Sequence, residues 1–409
     1  MPSRRHSHSR TPVAINPTPG IDRDVSSAWR IDSLTALRGL AAFAVFAFHA
    51  WLLAHMPDPA PGVALLSPAL TWLMRNGWSG VDVFFTLSAF LLAMPYARAA
   101  VAGRPPPDWR AYLRRRAARI LPAYWVQLAI VLAGSLMGVA WGRTFPAWEG
   151  VGSALAHVVL WINAWPRVAA LQPHWWTLPV EFGFYLMLPC LARAFTARRW
   201  PWLLALVALA WAWRAAWLMN PRADFAHFAW IEQLPGRIDQ FAIGMLAAWW
   251  WARREGRGGT ISPRRANTLL VAGALAFLAM PALFLVDGRA TLSQVMSLHP
   301  VVLAWHGLAS AAVALVLVAC AAGAPAARWL AARPLRFLGE ISYSLYLWHV
   351  PVIFWVLWQS GDTIAVGDFW PYFSICLLLS LALASLSWWG VERPALRWAA
   401  RRREVAAIN

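Results

Sequence analysis

The chain has 409 residues, 60% of them hydrophobic and only 13% charged, with a mean hydropathy of +0.50. That composition excludes a soluble enzyme with a single anchor and points to an all-α polytopic membrane protein. The net charge of +18 would suit a nucleic-acid binder, but all 36 basic residues are arginines and 29 of them fall in alternate segments between apolar runs. This is the positive-inside pattern, which sets orientation and attracts anionic lipid without a nucleic-acid partner.

In chain order, residues 1–33 are rich in Pro, Ser, Arg and Thr and read as a disordered, basic cytoplasmic tail. Apolar runs follow at about 34–56, 78–97, 121–141, 175–195, 200–219, 236–251, 268–286, 300–322, 341–359 and 371–391. They make about ten transmembrane helices with both termini cytoplasmic, in one membrane domain over 34–392. Residues 393–409 form a second basic cytoplasmic tail. The stretch 151–171 is only moderately apolar and is punctuated by His157, Trp161, Asn163 and Trp165. Counting it as a span breaks the charge alternation, so it is expected to lie at the outer interface or to dip in and return. Cys190, Cys320 and Cys376 sit in or at the ends of apolar runs and read as small buried hydrophobes.

The first run holds Arg38 near its start and His49 in its middle. An ionisable side chain at bilayer depth is costly, roughly 3 kcal/mol on insertion scales, and is a functional candidate by default. Eleven residues at about 100° and about 1.5 Å each put both on one face, with the imidazole roughly 16 Å deeper. A neutral imidazole there can accept a proton at pH 7. The alternative is a core histidine bonded to a neighbouring helix.

Five stretches carry further polar residues at depth. They are Arg38 with His49; Gly80-Val81-Asp82-Val83-Phe84-Phe85-Thr86-Leu87-Ser88-Ala89-Phe90; Arg116 and Arg119 before Ile120, Pro122, Tyr124 and Trp125; HWWTLPVEFGFYLMLP from His174 to Pro189; and ISYSLYLWHVP from Ile341 to Pro351. Together, in this order, they resemble the membrane acyltransferase-3 family (OafA-like acyltransferases) over about residues 30–397. Ala89 stands where the pattern usually has Gly, Thr177 where it has Ser, and Gly183 where it has Gln.

The resemblance implies acyl transfer from a cytoplasmic coenzyme A thioester, acetyl-CoA above all, to a hydroxyl of a cell-envelope glycan, lipid-linked saccharide or glycoside, in the inner membrane. A thioester is already activated, so the need is a base for the acceptor hydroxyl, worth about 10²–10⁴-fold. His49 takes that role. Asp82 and Glu181 are assigned to the catalytic group, to orient a histidine or hold a sugar, with ion pairing to Arg237 as the plainer alternative. Arg38, Arg116 and Arg119, with Tyr124 beside them, are expected to bind acyl-CoA, since guanidinium groups suit phosphate. His174, Trp176, Arg237, Asp239 and His349 are expected toward the acceptor. No HExxH or phosphate-loop motif occurs, and no metal is expected. A carrier or flippase for a lipid-linked saccharide is the rival reading, with the buried charges as substrate sites.

Overall fold

A computed structural model describes residues 21–54, 67–137, 155–162, 170–196, 199–219, 230–285, 301–361, 364 and 368–408. Among these the chain is a bundle of helices: α1 (Ile21–Ala54), α2 (Pro68–Arg75), α3 (Gly80–Val101), α4 (Trp109–Leu136), α5 (Thr177–Leu191), α6 (Pro201–Leu218), α7 (Leu234–Gly256), α8 (Pro263–Ala279), α9 (Val302–Ala322), α10 (Arg333–Glu340), α11 (Ser342–Gln359), α12 (Phe369–Ser387) and α13 (Arg393–Ile408). Eight helices are long and apolar enough to cross a membrane. A ninth is added when α10 and α11, bent by 72° about Ile341, are taken as one span. Each of the ten expected runs is helical over its described residues, and the tenth is α7.

Helix α7 misses the apolar criterion because it carries Arg237, Asp239, Gln240, Arg253 and Arg254. Its 23 residues give about 34 Å, enough to span. Arg237, Asp239 and Gln240 are all buried. The helix packs mainly along α3 and α6, which supply their partners. Gly244 makes the α3 approach close, for a Cβ there would meet the Thr86 carbonyl oxygen at 2.5 Å and the Ala89 methyl at 2.7 Å. Small residues at such crossings are the usual device for membrane helix packing.

Three features depart from the sequence reading. Helix α1 begins at Ile21, so 21–33, expected as unstructured tail, continues the first apolar run as helix; residues 1–20 lie outside the described residues. In the stretch expected to dip, residues 155–158 form one helical turn, while 151–154 and 163–169, with Asn163 and Trp165, lie outside the described residues. The Tyr124 hydroxyl donates to the His157 carbonyl at 2.8 Å and the Trp125 indole to that of Val158 at 2.9 Å, fastening this turn to α4. Finally, a π turn at Trp388–Glu392 joins α12 to α13 and turns Glu392 inward, where it is fully buried. Such wide turns re-aim a side chain within an otherwise straight helix.

Candidate active site

Three imidazoles stand in a row where α1, α11 and the short 3₁₀ turn Pro173–Trp176 meet. The His49 and His349 ring centroids are 5.0 Å apart, and those of His349 and His174 are also 5.0 Å apart. The acceptors around them fix the protons. His349 Nδ1 lies 2.7 Å from the Tyr346 carbonyl and 3.2 Å from that of Leu345, so it carries hydrogen. His349 Nε2 is then a lone pair, and it faces His49 Nδ1 at 3.2 Å. His49 Nδ1 therefore donates, a role its 3.0 Å contact with the Val45 carbonyl reinforces. That leaves His49 Nε2 as the basic nitrogen. His174 donates Nε2–H to the Leu347 carbonyl at 3.1 Å, and its buried Nδ1 has no partner among the described residues. His174 and His349 are buried, whereas His49 is half-buried.

The carbonyls that set these tautomers are held from behind. Gln127 donates to the same Leu347 carbonyl and accepts from the Trp175 indole at 2.9 Å. The Tyr346 hydroxyl donates to the His174 carbonyl at 2.6 Å and accepts from Thr177 at 2.7 Å.

A cavity of about 590 Å³ opens at the arginine-rich end of the bundle and runs up to that Thr177–Tyr346 pair. Helix register orders its wall. Arg38, Arg115, Arg116 and Arg119 line the mouth; Ser88, Glu181 and Tyr185 lie further in; Val81, Phe84, Phe85 and Leu178 line the deep end. Glu181 accepts from Ser88 at 2.8 Å and from Tyr185 at 2.5 Å, and the Arg116 guanidinium lies 6.0 Å from the Tyr185 ring. Arg119 is ion-paired with the buried Glu392 at 2.8 Å, and Glu392 also accepts from Ser344. Its charge is thus compensated within the protein. Arg38 and Arg116 make no ion pair among the described residues, though Glu181 lies within electrostatic reach of Arg38.

Deep between α3, α7 and α9 is a second polar centre. Arg237 donates to Glu232, to Asp82 at 3.1 Å and to Gln240 at 3.4 Å, and lies 5.2 Å over the Trp176 ring. Asp82 also accepts from Gln240 and from the Trp305 indole at 3.3 Å, and sits 2.9 Å from His306 Nδ1. Nearby, the fully buried Arg214 grips the fully buried Asp239 at 2.6 Å and donates to the Gly236 and Leu303 carbonyls. Every charge here has an opposite partner, as burial demands.

The comparisons decide the family. Residues 31–389 match the acyltransferase-3 model, described as an acyltransferase domain. The chain belongs to this acyltransferase family. It is 29% identical to the acyltransferase MdmB of Streptomyces mycarofaciens, over 92% of this chain and 94% of that one. It is 26% identical to nodulation protein 10 of Rhizobium leguminosarum bv. viciae, over 95% and 100%. With the O-acetyltransferase OatA of Staphylococcus aureus it shares 24% over 88% of this chain and 57% of that protein. No solved structure matches.

The structure thus divides the residues singled out in this acyltransferase. His49, His174 and His349 come together; His174 and His349, expected toward the acceptor, are buried, with His349 touching His49 and His174 beside His349. Arg38, Arg116, Arg119 and Glu181 come together on the cavity wall, Glu181 facing the arginines and not His49. Tyr124, expected beside acyl-CoA, is fully buried and off that wall, because its hydroxyl is spent on the 155–158 turn. Asp82 does hold a histidine, but it is His306. Arg237 and Asp239, expected toward the acceptor, are consumed by Asp82, Glu232 and Arg214, and Trp176 packs on Arg237 and edge-on to Phe85. Arg214, His306, Gln127 and Glu392 were not singled out; Arg214 and His306 lie within apolar runs, where the rule that flagged His49 applies equally.

Proposed function

We propose that this membrane acyltransferase moves an acyl group from acyl-CoA, held in the arginine-lined cavity, to a hydroxyl of a glycan or glycoside, with His49 as general base. One observation carries the reading. An elongated cavity, with Arg38 and Arg116 at its mouth making no ion pair among the described residues, ends one side-chain layer from an imidazole row whose tautomers leave His49 Nε2 basic. Coenzyme A is a thin arm with phosphates at one end and a thioester at the other. Arg38 and Arg116 suit the phosphates, charge-assisted bonds being about twice as strong as neutral ones. Arg119, already paired, contributes mainly shape. The cytoplasmic membrane, arginine side inward, is the setting that makes the donor available. The relatives include an exopolysaccharide production protein and an O-acetyltransferase, which favours a saccharide hydroxyl and an acetyl group.

The residues divide the work as follows. His49 Nε2 takes the acceptor proton as the oxygen attacks the thioester carbonyl; Nδ1–H stays on Val45 and His349, which stabilise the cation formed. His174 and Gln127, through Leu347, keep α11 in register for that contact. The carbon–sulfur bond breaks as the ester forms, and the thiolate takes up the proton that His49 removed, which returns the imidazole to its neutral form. His49 is not on the cavity wall, so transfer requires the Thr177–Tyr346 pair to part when donor and acceptor are both bound. Purified protein in nanodiscs should move radiolabel from acetyl-CoA to a saccharide acceptor, and His49→Ala should lower that rate at least 10²-fold. Full turnover in the variant refutes the base; saccharide flux without coenzyme A dependence favours a carrier.

A further inference from the structure

We propose that Phe84 is the ruler of acyl-chain length; this rests on the donor reading above. The deep end of the cavity is apolar, lined by Val81, Phe84, Phe85 and Leu178 and closed by Thr177 and Tyr346. If the phosphates sit at the arginine mouth, the acyl group is the part that reaches this end. Two aromatic rings from α3 define its width, and they are held differently. Phe85 is 1% exposed, stacked on Phe241 at 4.9 Å, which in turn stacks on Phe184 at 4.2 Å. It belongs to the core. Phe84 is half-buried, and its ring meets Tyr346 edge-on at 6.0 Å. Tyr346 is itself pinned by its hydroxyl to Thr177 and the His174 carbonyl. Phe84 therefore stands as a wall against a neighbour held in place while the Thr177–Tyr346 pair is closed. An acyl group that outgrows this end must displace it.

A methylene too many or too few in an apolar pocket is worth about 10–200-fold in selectivity. Short acyl groups are thus the natural donors, and the limit lies in one ring. Phe84→Ala removes the wall and leaves the Thr177–Tyr346 pair and the stacked Phe85 in place. Phe84→Trp narrows the same space.

The experiment measures kcat/KM for acetyl-, propionyl-, butyryl- and hexanoyl-CoA with wild type, Phe84→Ala and Phe84→Trp, each checked for monodispersity in detergent. Wild type should fall at least tenfold between propionyl- and butyryl-CoA. Phe84→Ala should raise butyryl or hexanoyl turnover at least tenfold relative to acetyl. Phe84→Trp should lower propionyl turnover at least tenfold relative to acetyl. If wild type turns over acetyl-CoA but neither variant changes the chain-length profile, Phe84 is not the ruler while the donor site stands. If Phe84→Ala does not fold, the Phe84→Trp profile alone decides. If wild type consumes no acyl-CoA at all, the donor reading fails and the ruler falls with it.

Discussion

Replacing Arg237 with methionine is the sharpest test of what the buried charge centre does. Arg237 is the cation shared by Asp82 and Glu232, with side chains 4%, 1% and 6% exposed. Removing one partner of a buried pair costs about 3–5 kcal/mol, because the other charge stays behind unpaired. Here one change strands two carboxylates in the same space, so we expect the upper end, about 5 kcal/mol. At about 1.4 kcal/mol per decade that is over 10³-fold in the folding equilibrium. Adding Asp82→Asn to Arg237→Met removes one stranded charge and should recover part of the loss, a coupling the double-mutant cycle measures directly. The assay is denaturant unfolding of the purified protein in detergent, followed by tryptophan fluorescence, alongside acyl-transfer kinetics. If Arg237→Met is as stable as wild type and only raises KM for the acceptor, the centre is a binding site and the structural argument is wrong.

Glu392→Gln releases Arg119 from its ion pair at the cavity mouth, so KM for acyl-CoA should fall and become more sensitive to salt; an unchanged KM in initial-rate measurements opposes the phosphate assignment. Arg38→Ala or Arg116→Ala should raise that KM at least tenfold, since each removes a guanidinium that makes no ion pair among the described residues, while leaving the acceptor KM unchanged. Tyr124→Phe removes one hydroxyl bond to the 155–158 turn and should cost about 1 kcal/mol of stability in the same unfolding assay, with no change in donor KM. Gly339→Ala places a methyl against the Thr35 carbonyl oxygen where α10 crosses α1; overpacking of about 1–3 kcal/mol should show as earlier unfolding.

The architecture was legible because bilayer length and arginine alternation are strong constraints: each apolar run is a helix in the described residues. The 72° bend before Ser342 was not legible, since Arg333–Glu340 is too short and polar to register as part of a span. For the site, the Arg38–His49 register survived as one helix face, because eleven residues at helical pitch admit no other outcome. The partners did not survive as well. Asp82, Arg237 and Asp239 lie on two helices whose relative rotation no periodicity reveals, and their ion pairs depend on Glu232, Arg214 and His306 from other segments. Tyr124 is a similar case: a motif places a residue near a site, but only the fold shows that its hydroxyl goes to the His157 carbonyl. Glu181 falls in the first two turns of α5, which begins after the Pro173–Trp176 turn, and this seats it on the cavity wall.

The hydroxyl contact between Thr177 and Tyr346 has a further consequence. It stands between the chamber proposed for an energy-rich thioester and the nitrogen proposed to deprotonate its partner. Water, the smallest and most abundant alcohol analogue, would otherwise be activated at that nitrogen and squander the donor between turnovers. A barrier one residue thick, opened only when both substrates press on it, would let the resting protein keep its donor intact in a wet membrane interface.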